Sequence, residues 1–191
     1  MKKFLVIIGG SAGMLPALIS FFDHTLPGQA AYIILQHLPM DFHSQLKAIL
    51  QRHSSLSIQQ ATTGTMPQKA TIYFLSGGQE LFLDNSHFLL KTRNPKQQNQ
   101  IVDQFIQSLA DNGMASQSII VILSGAGADG SKYISRIHGE GGLIIAQTPE
   151  ECTLPFMPLN TIRTGKADFV LDAANMPEVI DDYIQSFRRH Y

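Results

Sequence analysis

The sequence predicts an α/β protein: a three-layer, doubly wound, mostly parallel β-sheet with an antiparallel edge hairpin. Three observations predict this fold. Short apolar runs that end at glycine or polar residues alternate with segments whose apolar residues have helical spacing. The most apolar runs each lead into a turn that carries a serine, a histidine or an aspartate. Between the second and third of these runs lie shorter β-rich segments, which are typical of hairpins.

Length and composition indicate one globular domain over residues 1–191. A chain of 191 residues suffices for one α/β domain and is too short for two of ordinary size. Hydrophobic residues make up 44% and charged residues 15%, which indicates a large buried core. With 14 basic and 15 acidic residues, the chain lacks the positive charge that binds nucleic acid or anionic membranes. We therefore expect no nucleic-acid partner.

Cysteine content and the N-terminal residues indicate a cytoplasmic protein. Cys152 is the single cysteine, so an internal disulfide is excluded, which fits a reducing compartment. The apolar run that begins at Phe4 is too short for a signal peptide, and cleavage there would remove the first strand. Since no apolar run approaches the roughly 20 residues that span a bilayer, we expect no membrane insertion.

The first strand, Phe4–Ile8, breaks into Gly9–Gly13, and Leu15–Phe22 then has helical spacing. Residues 9–13 fit the G-x-S-x-G pattern, in which a tight turn presents a serine at the carboxyl end of a strand, beside helix N-terminal N–H groups. Ser11 is therefore a candidate nucleophile. The alternative is that Ser11 only caps the helix, since serine is a preferred N-cap residue.

The second strand, Ala31–Leu35, places His37 at its carboxyl end, and Asp41 is expected to cap a helix over Phe42–Arg52. Parallel strands joined by a right-handed crossover have their carboxyl ends side by side, where open α/β sheets bind ligands. We therefore expect His37 beside Ser11.

The residue pattern in the middle of the chain predicts an antiparallel meander at the sheet edge, followed by a polar loop. The meander strands are Thr71–Leu75, Gln79–Leu83 and Phe88–Lys91. Helical spacing resumes over Ile101–Leu109.

The third informative strand, Ser118–Leu123, runs into Ser124–Gly130 and places Asp129 at its carboxyl end. The remaining elements are a helix to about His138, a strand over Leu143–Gln147, an ordered loop over Thr148–Pro158, a short helix, a strand near Phe169–Leu171 and a terminal helix from Pro177.

Other interpretations of these turns fit less well. Residues 125–130 match G-x-G-x-x-G, with Glu150 as a candidate ribose-binding acid, but this dinucleotide fingerprint belongs at the start of a Rossmann unit. The α/β-hydrolase fold is excluded, because it needs several strands before the serine and places its acid before the histidine. His37, His43 and His53 lack metal-ligand spacing, so we expect no metal and no cofactor.

The segments Ile8–Gly13, Gln36–Pro39 and Leu123–Gly130 resemble the three signature segments of the catalytic domain of the chemotaxis protein-glutamate methylesterase (CheB) family. Ile145–Gln147 with Cys152, the pair at residues 157–158, and the segment 72–77 extend the resemblance from about Val6 to the final helix.

This resemblance implies a catalytic triad of Ser11, His37 and Asp129, as nucleophile, general base and orienting acid. The family demethylates glutamate methyl esters on the cytoplasmic helices of chemoreceptors and often deamidates glutamines there. A methyltransferase or a separate regulator is a further expected partner, since the receiver domain usual in the family is not expected here. Replacing Asp129 by alanine is expected to lower kcat by about 10⁴ with stability nearly kept.

Other residues are expected at an oxyanion hole or a substrate loop: Ala12, Gly13, Ala126, Gly127, Phe156 and Met157. Three of the chain's departures from the family pattern lie in or beside this set. Ala12 stands where threonine is usual, Ala126 where methionine is usual, and Phe156 where glycine is usual. Residues 98–103 replace a segment rich in His-Arg-Pro-Ser, of which Asp103 is kept. The alternative function is therefore a catalytically slow module that binds a receptor or a methyltransferase, and a nucleotide-binding domain is a third interpretation.

Overall fold

Nine β-strands build two sheets in the computed structural model, which describes residues 3–28, 30–40 and 45–189. The strands are β1 (Phe4–Gly10), β2 (Ala30–Gln36), β3 (Ser57–Gln60), β4 (Thr71–Phe74), β5 (Gln79–Asp84), β6 (His87–Thr92), β7 (Ser118–Ile122), β8 (Leu143–Gln147) and β9 (Phe169–Leu171). Seven of them form a parallel sheet in the order β3-β4-β2-β1-β7-β8-β9. The other two, β5 and β6, form an antiparallel hairpin.

Helices cover both faces of the parallel sheet. They are α1 (Met14–Asp23), α2 (Leu46–Leu50), α3 (Ile101–Asp111), α4 (Ile134–Gly139), α5 (Phe156–Arg163) and α6 (Met176–Arg189). Alternate residues of β1 point to opposite faces: Val6 and Ile8 pack with α1 and α6, whereas Leu5 and Ile7 pack with α3 and α4. These two cores confirm the predicted three-layer, doubly wound α/β fold.

The register of the central strands brings three turns to one sheet edge. Gly10 at the end of β1 pairs with Gln36 at the end of β2, and Gly9 pairs with Ile122 at the end of β7. The turns that follow β1, β2 and β7 are therefore neighbours. This arrangement follows from parallel pairing, as the sequence predicts.

The predicted three-stranded meander is wrong in its first strand. β4 lies inside the parallel sheet, between β3 and β2, and only β5 and β6 form the hairpin. All four residues of β4 are buried, as is typical of an interior parallel strand, whereas the hairpin strands are half-exposed. The sequence prediction also omits β3, because that strand is short and only Ile58 in it is buried.

The helix predicted over residues 42–52 is shorter than expected. α2 covers Leu46–Leu50, and residues 51–53 form a turn. Asp41, the predicted cap, lies outside the described residues, as does His43. Of the helices in the described part of the chain, none has the length and apolar character needed to cross a membrane.

Candidate functional site

Ser11 occupies the turn between β1 and α1, and it is not the N-cap of that helix. The N-cap is Gly13, whose φ of 82° is a left-handed conformation that favours glycine, and no side chain caps the helix. The backbone N–H of Ser11 donates to the carbonyl oxygen of Ser124 (3.0 Å). The capping interpretation of Ser11 is therefore wrong, and its half-buried side chain is not used to start α1.

His37 lies beside this turn and contacts Asp129. Its backbone N–H donates to the carbonyl oxygen of Gly10, the residue before Ser11 (3.3 Å). Its ring atom Nε2 lies 2.6 Å from Oδ2 of Asp129, and the two side chains are 19% and 4% exposed. The imidazole is therefore held by a buried carboxyl group, while its backbone is tied to the strand that carries Ser11.

Helix α3 supplies two further hydrogen bonds to Asp129. The backbone N–H of Val102 donates to Oδ2 (3.0 Å), and that of Asp103 donates to Oδ1 (2.8 Å). These N–H groups belong to the first turn of a helix, where N–H groups lack partners within the helix and the helix dipole favours a negative charge. This contact is not predictable from local sequence, because it joins segments 26 and 27 residues apart.

Asp103 is a site residue that the sequence analysis did not assign. It is buried, and its Oδ1 accepts the backbone N–H of Lys132 (3.0 Å). Burial, followed by the charge of the adjacent Asp129 carboxylate, raises the pKa of Asp103 to about 6. An acidic residue in a helix turn that otherwise buries apolar side chains is the signal that could have identified it.

The turn after β7 packs directly against the Ser11 turn. The buried Ser124 hydroxyl lies within hydrogen-bonding distance of the carbonyl oxygens of Ala12 (3.1 Å) and Leu154 (3.2 Å) and accepts the N–H of Leu154 (3.0 Å). A Cβ atom on Gly125 would lie 3.0 Å from both the N and the Cβ of Ser11 and 2.2 Å from Sδ of Met157. Close packing therefore fixes the backbone at Ser11.

The residues predicted to form the oxyanion hole or substrate loop differ in their exposure to solvent. Ala12, Ala126 and Gly127 are exposed and Gly13 is half-buried. Phe156 is 53% exposed, whereas Met157 is buried and contacts Gly125. Five of these six residues are therefore exposed or half-buried.

A family model described as CheB methylesterase matches residues 6–180. The chain belongs to the CheB methylesterase family. A protein-glutamate methylesterase/protein-glutamine glutaminase of Thermotoga maritima is 30% identical over 187 residues, which cover 94% of this chain and 54% of that protein. A protein of the same name from Clostridium acetobutylicum is 27% identical over 191 residues, with 96% and 54% covered. The chain thus spans about half the length of these curated relatives.

A solved structure supports the same assignment. The crystal structure of the Thermotoga maritima CheB methylesterase catalytic domain matches with a TM-score of 0.85 and 28% sequence identity. The match covers 96% of this chain and 100% of that one. The fold of the CheB catalytic domain therefore accounts for nearly the whole chain.

The nucleotide interpretation finds no support in the geometry of the glycine-rich turn. A dinucleotide fingerprint opens directly into a helix, but α4 begins only at Ile134 and has six residues. Asp129 inside the turn bonds His37 and the first turn of α3. Among the residues that the structure describes, no group of three His, Cys, Asp or Glu side chains is placed to hold a metal ion.

Proposed function

We propose that this chain hydrolyses glutamate methyl esters on the cytoplasmic helices of chemoreceptors, with Ser11 as nucleophile, His37 as general base and Asp129 as orienting acid. The observation that carries the proposal is the bond from His37 Nε2 to Asp129 Oδ2 at the turn next to Ser11. Membership of the CheB methylesterase family and the names of the relatives support the choice of substrate.

The roles follow from the hydrogen bonds of His37. When Nε2–H donates to the Asp129 carboxylate, Nδ1 is the ring nitrogen left to take a proton from Ser11. Serine is a weak nucleophile until a base removes its proton. Asp129 fixes the tautomer and stabilises the imidazolium ion that forms, and the N–H groups of α3 keep Asp129 in place.

The reaction then takes two steps. Ser11 Oγ attacks the ester carbonyl, and the oxyanion is held by backbone N–H groups of the turn after Ser11, including that of Ala12; one such donor contributes about 3 kcal/mol. His37 gives its proton to the methoxy oxygen as the C–O bond breaks, and methanol leaves. Water, activated by His37, then attacks the acyl-enzyme and releases glutamate from Ser11. Phe156 is exposed and precedes Met157, whose backbone N–H donates to the carbonyl oxygen of Gly125 beside Ser11, so its ring is available to a receptor helix.

Deamidation of glutamine is the second candidate function. The names of the two curated relatives include protein-glutamine glutaminase, which favours it. The chemistry is the same up to the leaving group, because His37 then protonates the departing amide nitrogen, which leaves as ammonia, and the acyl-enzyme is identical. The amide makes the greater demand on His37, because its nitrogen must be protonated before it can leave.

A fluorophosphonate probe tests the nucleophile independently of any receptor. We expect the probe to label the wild-type chain at Ser11, and the labelled peptide can be identified by mass spectrometry. Ser11→Ala should abolish labelling, and His37→Ala should slow it strongly. Ser118→Ala is a matched control, because Ser118 lies at the opposite end of β7. Labelling that persists at another residue in Ser11→Ala, or none in the wild type, would contradict the assignment and favour a module that only binds.

A further inference from the structure

Two carboxyl groups, not one, are buried at the turn that contacts His37. As whole residues, Asp103 and Asp129 are 4% and 7% exposed, and the backbone N–H of Asp103 donates to the Asp129 carboxyl group (2.8 Å). Asp129 accepts from His37, Val102 and Asp103. A proposed triad accounts for Asp129 alone and leaves the second carboxyl group without a role.

Hydrogen bonds run in both directions between the first turn of α3 and the turn that carries Asp129. The backbone N–H of Asp103 donates to Oδ1 of Asp129 (2.8 Å), and Oδ1 of Asp103 accepts the backbone N–H of Lys132 (3.0 Å), which follows Asp129 in the same turn. Asp103 thus bonds both the carboxyl group and the backbone of the turn that carries it. Movement of Asp103 would displace Asp129, and with it the imidazole of His37.

The charges around Asp103 favour one shared proton. Among the described residues, Asp129 provides the ionisable side chain that neighbours Asp103. Asp129 in turn contacts His37. Lys132 contributes its backbone N–H, while its ammonium group lies 5.1 Å from the centre of the Tyr133 ring. Two buried carboxylates in contact repel each other, so one of them retains its proton more readily than a solvated acid does.

We propose that Asp103 is a positioning residue, which in its protonated form donates a hydrogen bond to Asp129 and holds that carboxylate against His37. The inference rests on the proposed function and adds a fourth member to its hydrogen-bond network. Protonated Asp103 leaves a single negative charge beside the imidazole. Ionised Asp103 loses the donor and adds a second negative charge, which favours protonated His37, the form that cannot act as a base.

The variants Asp103→Asn and Asp103→Ala separate positioning from charge. Asparagine keeps a donor toward Asp129 and an acceptor for Lys132 but cannot ionise, so we expect a plateau kcat within about threefold of the wild type. The acid limb of its pH profile should move to lower pH by about 0.5 unit or more, because no second negative charge then stabilises the imidazolium. Alanine removes donor and acceptor, and kcat should fall about 10- to 100-fold.

NMR titration of the aspartate carboxyl carbons gives a readout that needs no turnover. In the wild type one buried carboxyl group should titrate above the solvated aspartates, and Asp103→Asn should remove that step. Asp111→Asn is the matched control: Asp111 lies at the other end of α3, pairs with Arg136 at 2.6 Å, and should change neither profile.

A raised carboxyl titration that is absent from the wild type, or that persists unchanged in Asp103→Asn, would overturn the proposal, even if Asp103→Ala fails to fold. If the wild type cleaves no ester, the proposed function fails, and the NMR titration still decides the role of Asp103.

Discussion

Nε2 of His37 lies 2.6 Å from Oδ2 of Asp129, although the two residues are 92 positions apart in the chain. His37 follows β2 and Asp129 follows β7, and both strands pair with β1, which leads into Ser11. The contact therefore joins the turns on either side of the Ser11 turn.

Substitution of Asp129 should separate catalysis from stability. In Asp129→Asn the amide still accepts an N–H of α3 but no longer fixes the His37 tautomer, so kcat should fall by about 10⁴. Asp129→Ala should lose the same activity and also about 1–2 kcal/mol of unfolding free energy, because two N–H groups of α3 lose their acceptor. The expectation from the sequence that Asp129→Ala nearly keeps its stability is therefore revised.

Steady-state kinetics and urea denaturation measure these two quantities. Equal stability of the asparagine and alanine variants would mean that α3 does not depend on Asp129, and wild-type kcat in either variant would remove Asp129 from the mechanism.

Ser124→Ala should reduce both stability and activity. The buried hydroxyl bonds backbone groups of Leu154 and Ala12, and groups left unpaired by its loss cost about 1–3 kcal/mol. Because Ala12 adjoins Ser11, we expect kcat to fall as well.

Ser118→Ala is the matched control for this loss. Ser118 is also buried, and its hydroxyl donates to the carbonyl oxygen of Met114 (2.9 Å) far from the site. It should lose stability and keep kcat. If both variants keep kcat, the Ser124 network does not position the Ser11 turn.

Gly125→Ala should impair activity in a folded protein. The new methyl group would meet the backbone N of Ser11 at 3.0 Å, a contact that the backbone can relieve only by moving Ser11. The Sδ atom of Met157, at 2.2 Å, ends a flexible side chain and can rotate away. We expect slower fluorophosphonate labelling of Ser11 with native circular dichroism. Gly139→Ala is the control: its added carbon meets no neighbouring atom within 4 Å, so the probe should label Ser11 in this variant at the wild-type rate. Equal labelling rates in Gly125→Ala and Gly139→Ala would contradict the prediction.

The free energy of unfolding should depend on pH through the ionisation of Asp103. Its pKa is raised to about 6 in the folded protein, against about 3.9 for a free aspartate, so the folded state holds the proton more tightly. The resulting stabilisation is complete below pH 4 and is lost as the pH rises through about 6. Between pH 4 and pH 7 the wild type should lose on the order of 1–3 kcal/mol relative to Asp103→Asn, as measured by urea denaturation at each pH. A constant difference across this range would contradict a raised pKa.

Local sequence patterns predict much of this fold and of the candidate site. The apolar runs of β1, β2 and β7 indicate the sheet, and parallel pairing places Ser11, His37 and Asp129 at one edge without knowledge of side-chain packing. The insertion of β4 between β3 and β2 is not predictable in this way, because strand order depends on which buried surfaces meet after collapse.

The hydrogen bonds that support Asp129 and the Ser11 turn join distant segments and are therefore not predictable from local sequence patterns. The N–H groups of Val102 and Asp103 reach Asp129 only because α3 packs over the sheet with its first turn at the carboxyl edge. The bonds from Ser124 to Leu154 likewise depend on the path of a loop 30 residues away. No local periodicity encodes these distances.

Release of methanol from methylated chemoreceptor fragments tests the central claim most directly. The comparison is between the wild-type chain and Ser11→Ala, with Ser118→Ala as a control that retains the site. We predict that the wild type and Ser118→Ala release methanol and that Ser11→Ala, folded by circular dichroism, releases none above the uncatalysed rate. Equal release by the wild type and Ser11→Ala, or no release by a folded wild type from any receptor fragment, would contradict the account.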